Sequence, residues 1–105
     1  MAYSITHRDG SMEADPPFDS VEALLDELDD IDAEHPDVAL SHESGWGLSA
    51  FPSGRLLYEN VEDLTVEPRQ MVLDRDLVKD LFRALAIGDL ERLEAENWQP
   101  YRVNG

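Results

Sequence analysis

Cysteine is absent from the sequence. Its absence excludes a disulfide framework, a thiol nucleophile and a thiolate metal site. The chain also has no run of about 18 apolar residues, the length that a membrane-spanning helix requires. The first twelve residues, MAYSITHRDGSM, lack the basic flank and the apolar segment of a secretory signal. We therefore expect a cytoplasmic protein that makes no membrane contact.

Basic residues are scarce. Against 8 Lys and Arg residues stand 24 Asp and Glu residues, which gives a formal net charge of −16. The field of such a chain repels phosphate backbones and anionic lipids, so the composition disfavours nucleic acid and membrane as partners. Two explanations of the acidity stay open: solubility or tolerance of high salt in the host, and attraction of a basic protein partner.

The length bounds the domain organisation. A chain of 105 residues, of which 42% are hydrophobic, is long enough for one core and short for two. We predict a single domain over residues 1–105, in which residues 1–17 form an N-terminal strand and a loop and are the part most open to flexibility. The sequence does not indicate the oligomeric state.

A helical period begins at Asp19. The residue types predict that Asp19 caps the helix and that the helix ends near Glu34, before His35-Pro36. The apolar residues of its buried face are Val21, Leu24, Leu25, Leu28 and Ile31.

The other face of this helix is acidic throughout. Like charges at helical spacing cost about a few tenths of a kcal/mol per pair, so the arrangement carries a penalty. An EF-hand calcium site is excluded, because the segment lacks the loop glycine and the ligand spacing. A solvated face and a contact surface for a basic partner both stay open. The contact surface would consist of Asp26, Glu27, Asp29, Asp30 and Asp32.

After Asp37 the apolar period changes to two, which predicts strands. Two strands before Pro52-Ser53-Gly54 and a third over residues 55–61 make an antiparallel meander joined by short turns. Residues 62–73 show no clear period. Their structure stays open, although they can supply an edge strand.

A second amphipathic helix follows. Asp74 predicts its N-cap and Gly88 its end, and Asp89 predicts the cap of a short third helix that runs to about Glu96. The predicted fold class is α+β: an antiparallel three- to four-stranded sheet packed against two main helices, with a short third helix near the C-terminus.

The sequence contains no set of residues that indicates catalysis. His7, His35 and His42 lie in different predicted elements and lack partners at the spacing of metal motifs. The segment around Ser44 has extended flanks, where a hydrolase nucleophile elbow needs a strand and a helix. We predict that the protein is not an enzyme and that it has no catalytic residue, metal or cofactor.

Aromatic residues anchor both cores and interfaces. Trp46 lies beside two glycines, which leave room around its indole, so we expect it to be partly exposed. Trp46 and Tyr58 are the predicted aromatic contacts to a partner. Trp98, after the last helix, is expected to close the core.

The chain combines an early acidic helix, two short strands, a later helix and a late tryptophan. The segments are Ser44-Gly45-Trp46-Gly47-Leu48, Gly54-Arg55-Leu56-Leu57-Tyr58, Val78 to Ala86 with Gly88, and Trp98. Over residues 18–101 this order resembles the small α+β immunity proteins of bacterial polymorphic toxin systems, particularly the group found beside deaminase toxins. The resemblance implies a protein that binds a cognate toxin and blocks it by occlusion.

The leading prediction is therefore a noncatalytic acidic binding protein, in its most specific form an immunity protein for a basic toxin. Acidic surface would steer the association with such a partner. The first alternative is a regulatory or housekeeping interaction domain of unknown partner, whose acidity reflects host salt or genome composition. The second is a small enzyme whose site is assembled only in three dimensions.

Overall fold

The computed structural model describes residues 3–7, 10–29, 37–60, 62–63 and 65–100, with only the backbone at Asp29. Seven strands lie in these ranges: β1 (Tyr3–Thr6), β2 (Met12–Ala14), β3 (Val38–His42), β4 (Trp46–Ala50), β5 (Arg55–Asn60), β6 (Arg69–Val72) and β7 (Gln99–Pro100). They form one sheet in the order β2-β1-β3-β4-β5-β6-β7, and every neighbouring pair is antiparallel.

The α+β class and the central meander are confirmed, and the predicted number of strands is wrong. Strands β3, β4 and β5 lie where the alternation of apolar residues predicts them. The sheet has seven strands instead of three or four because short strands extend it on both sides. Strands of two to four residues, such as β2, β6 and β7, contain too few positions to show a period of two.

Three α-helices are described: α1 (Phe18–Asp26), α2 (Arg75–Ala86) and α3 (Leu90–Glu94). A 3-10 helix, Glu27–Asp29, continues α1 directly. The predicted end near Glu34 lies outside the described residues. None of the described helices is long and apolar enough to cross a lipid bilayer.

The predicted caps are confirmed for two helices and wrong for one. Asp74 accepts a hydrogen bond from the backbone N–H of Leu77 at 2.9 Å, and Asp89 accepts one from Arg92 at 3.2 Å. In α1 the N-cap is Pro17 instead of Asp19. Asp19 lies within the first turn, where its negative charge still interacts favourably with the free N–H groups of the helix.

The strand register collects apolar side chains on one face of the sheet. Ile5 pairs with Leu40, Leu40 with Leu48, and Leu48 with Tyr58, which places the four side chains in a row across β1, β3, β4 and β5. All four are at most 1% exposed. Helix α2 contacts β3 and β4, and α1 packs beside α2. The helices add the buried residues Val21, Leu24, Leu25, Val78, Leu81, Phe82, Ala84, Leu85, Ala86 and Leu93.

The opposite side of the sheet, called here the open face, has no buried side chain among its described residues. It carries one acidic residue, Glu59, and one basic residue, Arg55, so that its formal charge sums to zero. The alternation and the register assign to it Ser4, Thr6, Met12, Ala14, Ala39, Ser41, Gly47, Ser49, Arg55, Leu57, Glu59, Gln70, Val72 and Gln99.

The turn between β4 and β5 requires a glycine at position 54. Gly54 has a φ of +90° and donates a hydrogen bond to the carbonyl of Phe51 at 3.0 Å. Its own carbonyl accepts from the N–H of Leu73 at 2.9 Å, and a Cβ at this position would lie 2.7 Å from the Leu73 carbonyl oxygen. The turn is therefore held against the segment that leads into α2.

We expect Gly54→Ala to destabilise the protein more than Gly10→Ala does. Both glycines have a φ of +90°, but a Cβ at Gly10 meets nothing within 4 Å. Gly10→Ala should cost about 1 kcal/mol for the left-handed backbone alone. Gly54→Ala adds the clash and should cost at least about 2 kcal/mol. Urea unfolding of both variants checks this, and equal costs would contradict the close approach to Leu73.

Candidate functional site

Three aromatic rings stack at one end of the sheet. Trp46 begins β4, and its ring lies 4.5 Å from that of Tyr58 at an angle of 16°. Trp98, which follows α3, lies against Tyr58 at 4.9 Å and 20°. The indole N–H of Trp98 donates to the carbonyl of Leu93 at 2.7 Å, which fixes the Trp98 side chain against the end of α3.

Arg69 and Glu94 complete this group, which is called here the aromatic cluster: Trp46, Tyr58, Arg69, Glu94 and Trp98. Arg69 lies opposite Tyr58 in the register, with its guanidinium carbon 5.0 Å from the Tyr58 ring and 5.6 Å from the Trp46 ring. Its two terminal nitrogens donate to the two oxygens of Glu94 at 2.9 and 2.8 Å. The bidentate pair joins α3 to β6.

Arg69 and Glu94 each stabilise the ionised form of the other. The hydrogen bonds from Arg69 lower the pKa of the Glu94 carboxyl, and Glu94 in turn raises the pKa of Arg69. Burial, followed by the nearby Glu94 charge, raises the pKa of Tyr58, so that its hydroxyl stays protonated and donates to Glu94 at 3.2 Å. The Nε atom of Arg69 is buried and has no hydrogen-bond partner among the described residues.

This geometry bears on the two predicted aromatic contacts. Tyr58 is 0% exposed and its ring stacks on both Trp46 and Trp98, so in this structure the side chain is covered by the cluster. Its contact with a partner stays a prediction. Trp46 is half-buried, which agrees with the expectation of partial exposure. Trp98 packs against the core, as predicted.

The predicted acidic surface is described only in part. Asp26 is exposed at the last residue of α1, and Glu27 begins the 3-10 helix. Asp29 lies in that 3-10 helix, and its side chain is outside the described structure. Asp30 and Asp32 lie outside the described residues altogether.

Glu27 is held by a histidine. Its carboxylate oxygen lies 2.5 Å from Nδ1 of His7, and Nε2 of the same ring lies 2.6 Å from Glu13. The hydrogen bonds to Glu13 and Glu27 raise the pKa of His7. The imidazole therefore joins β2 to the end of α1, a role that the sequence did not indicate.

The described part of the acidic surface, Asp26 and Glu27, and the aromatic cluster lie at opposite ends of the sheet. Leu28, next to Glu27, lines a cavity of about 270 Å³ together with Ala50, the last residue of β4. Trp46 is the first residue of the same strand. Of the predicted contact residues that the structure describes, Asp26 and Glu27 therefore lie at one end of the sheet and Trp46 and Tyr58 at the other.

A second group of carboxylates lies at the Trp46 end and was missed in the sequence. The turn after β3 and the loop after β5 come together there, since a Cβ at Gly45 would lie 2.7 Å from a carboxylate oxygen of Glu62. The group is called here the acidic end and consists of five exposed residues: Asp15, Glu43, Glu62, Asp63 and Glu67. No described basic side chain forms an ion pair with their carboxylates.

Local hydrogen bonds order the loop after β5. The side-chain oxygen of Asn60 accepts from the N–H groups of Glu62 and Asp63, both at 2.9 Å. Asp63 accepts from the hydroxyl and the N–H of Thr65, and these bonds lower the pKa of its carboxyl. These bonds fix the backbone at Glu62 and Asp63 and keep the Asp63 carboxyl ionised. Within the described ranges, no group of three or more His, Asp or Glu residues is placed to hold a metal ion.

We expect Glu94→Gln to destabilise the protein by about 1 to 2 kcal/mol, because Arg69 loses a charged partner at a partly solvated site. Glu91→Gln, on an exposed position of the same helix, should change the stability by less than about 0.5 kcal/mol. Urea unfolding followed by tryptophan fluorescence measures both. Equal stability of the two variants would show that the bidentate pair contributes nothing.

The His7 contacts predict a contribution to the free energy of unfolding that depends on pH. Since the folded pKa of His7 is raised, this contribution is fully present below the unfolded value of about 6.5 and is lost as pH rises through the folded pKa. His7→Gln lacks this contribution. The difference in unfolding free energy between the unaltered protein and His7→Gln should therefore shrink as pH rises from about 5.5 to about 9. A difference independent of pH would contradict a charged His7.

Comparisons with known proteins show no relative: no protein-family model, no curated protein and no solved structure matches the chain.

Proposed function

We propose that this protein is a noncatalytic binding protein that uses its acidic surface to attract a basic protein partner. The observation that supports this is the uncompensated charge. A chain with a formal charge of −16 attracts cationic surfaces over distances up to about the Debye length of 8 Å at physiological salt.

The basic residues do not cancel this field, because the net charge of −16 already includes all of them, and each described one has a contact within the protein. Arg69 and Arg92 bind Glu94 and Glu96, and Lys79 lies 3.6 Å from Glu22. The remaining three also have contacts with neutral groups. Arg55 lies over the ring of Phe51, Arg83 lies over the ring of Phe18, and Arg75 donates to the carbonyl of Leu25 at 2.9 Å.

The carboxylates occur in several regions of the surface. On the helical layer, Asp26 of α1 and Asp80 of α2 are exposed. At the acidic end, Glu43 and Asp63 are exposed on two loops. A basic protein would therefore be attracted from several directions, and the attraction would raise the rate of encounter more than it slows dissociation.

The resemblance to immunity proteins gives the proposal its most specific form. The partner would then be a basic toxin domain, and binding would block it by covering its working surface. This form requires that the complex contain one copy of each protein and that the bound toxin lose activity.

The first experiment is a pull-down with the tagged protein from a lysate of its own host, at low and at high salt. We expect a basic protein to be retained at low salt and released at high salt, because screening weakens the attraction. Mass spectrometry identifies the retained protein. Retention of proteins without regard to their charge, or of none, would contradict the proposal.

The retained protein then serves as the probe for the role of charge. Asp26→Lys with Asp80→Lys changes the formal charge by four, from −16 to −12. The association rate at low salt should fall about tenfold, with little change in the dissociation rate. Asp26→Glu with Asp80→Glu keeps the charge and should behave like the unaltered protein. Equal association rates for all three proteins would show that this charge does not steer binding.

A further inference from the structure

We propose that the partner docks on the open face of the sheet and places a lysine or arginine side chain at its acidic end. This inference rests on the proposed function and adds the surface and the chemistry of the contact. The helical layer and the exposed carboxylates of α1 then attract the partner without forming the contact.

The charge of the open face differs from that of the rest of the molecule. Its 14 positions include a single acidic residue and a single basic residue, whereas the whole chain has 24 acidic residues. Removing charged groups from water is costly unless each finds a partner, and the cores of protein interfaces are depleted in charged residues. The open face is therefore the surface that a partner can cover at the lowest desolvation cost.

Exposed apolar side chains lie on the same face. In the described part of the chain, three large hydrophobic side chains are more than half exposed, and two of them, Met12 at 66% and Val72 at 74%, are on the open face. Met12 is on β2 and Val72 on β6. Between them β3 and β4 carry small residues such as Ala39 and Ser49. The face is therefore low over these two strands and higher at β2 on one side and at β5 and β6 on the other.

A depression at the acidic end suits a cationic side chain. It has a volume of about 250 Å³, and its walls include the carboxylates of Asp15 and Glu43 and the open-face hydroxyls of Ser4 and Ser41. Tyr3, Ala14 and His42 complete the lining. A guanidinium or ammonium group there can form charge-assisted hydrogen bonds with both carboxylates.

Asp15 is oriented before any partner binds. The backbone N–H of Tyr3 donates to the Asp15 carboxylate at 3.0 Å, and the N–H of Asp15 donates to the carbonyl of Tyr3 at 2.7 Å. An oriented carboxylate loses little conformational freedom on binding, which favours affinity. The occupant that fits this face is a protein surface with an uncharged centre and Lys or Arg on one side.

A second copy of the chain fits less well. It would bring another charge of −16 against the first, and its own carboxylates could not pair with Asp15 and Glu43. The basic partner therefore accounts for both the uncharged centre and the acidic end.

The test uses the basic protein that the unaltered chain retains at low salt, labelled and titrated against two variants. Ser49→Glu places a carboxylate in the centre of the open face, and Ala23→Glu places the same charge on the exposed side of α1. Attraction by net charge alone would leave both variants as tight as the unaltered protein or tighter. Docking on the open face predicts that Ser49→Glu dissociates at least about tenfold faster, while Ala23→Glu is unchanged within about twofold.

Circular dichroism and thermal melting confirm folding, and Ala39→Glu, at the position that pairs with Ser49 on the same face, replaces Ser49→Glu if that variant does not fold. Glu43→Gln should also weaken binding about tenfold, against no change for Glu91→Gln on α3.

Equal dissociation rates of the open-face variants and the control variants, with the partner still bound, overturn the open-face assignment alone. Failure of the unaltered protein to retain any basic protein overturns the proposed function and this inference together. A dimer in sedimentation that Ser49→Glu dissociates would assign the face to a second copy instead.

Discussion

The register of the antiparallel sheet is the constraint on which the rest of the structure depends. It aligns Ile5, Leu40, Leu48 and Tyr58 across four strands, so that one face of the sheet is apolar and receives the helices. A slip of one residue would turn these side chains toward water and bring serines and a glycine to the core. The same register that buries the core therefore also creates an open face without net charge.

Elements with many repeats of a period were predictable from the sequence. Helix α2 and strands β3, β4 and β5 each carry enough apolar positions for the pattern to decide their type. Strands β2, β6 and β7 form because neighbours offer free hydrogen-bonding groups, and such pairing leaves little trace in two to four residues. The N-cap of α1 was misplaced by two residues, since Pro17 before the first turn stands where a side-chain cap at Asp19 was expected.

For the charged residues of the candidate site, too, only those close together in the sequence were predictable. The acidic run from Asp26 onward is contiguous and can be seen in the sequence. The acidic end is not contiguous: Asp15, Glu43 and Glu62 are distant in the chain and meet only because the strands bring three connections to one end of the sheet. Nothing in the sequence reveals that Arg69 would join Tyr58 and Glu94, because that pairing depends on β6, in a segment whose structure the sequence left open.

Net charge and contact surface make different contributions to binding, and this chain separates them in space. Carboxylates on the helical layer act over a distance on any cationic body and so affect mainly the rate of approach. A sheet face without net charge acts only on contact, where low desolvation cost and shape govern how long a complex lasts. A protein that must bind one basic partner tightly, among many basic proteins, needs the second property more than the first, because charge alone attracts them all. The open face, rather than the acidity, is therefore the feature on which selectivity would depend.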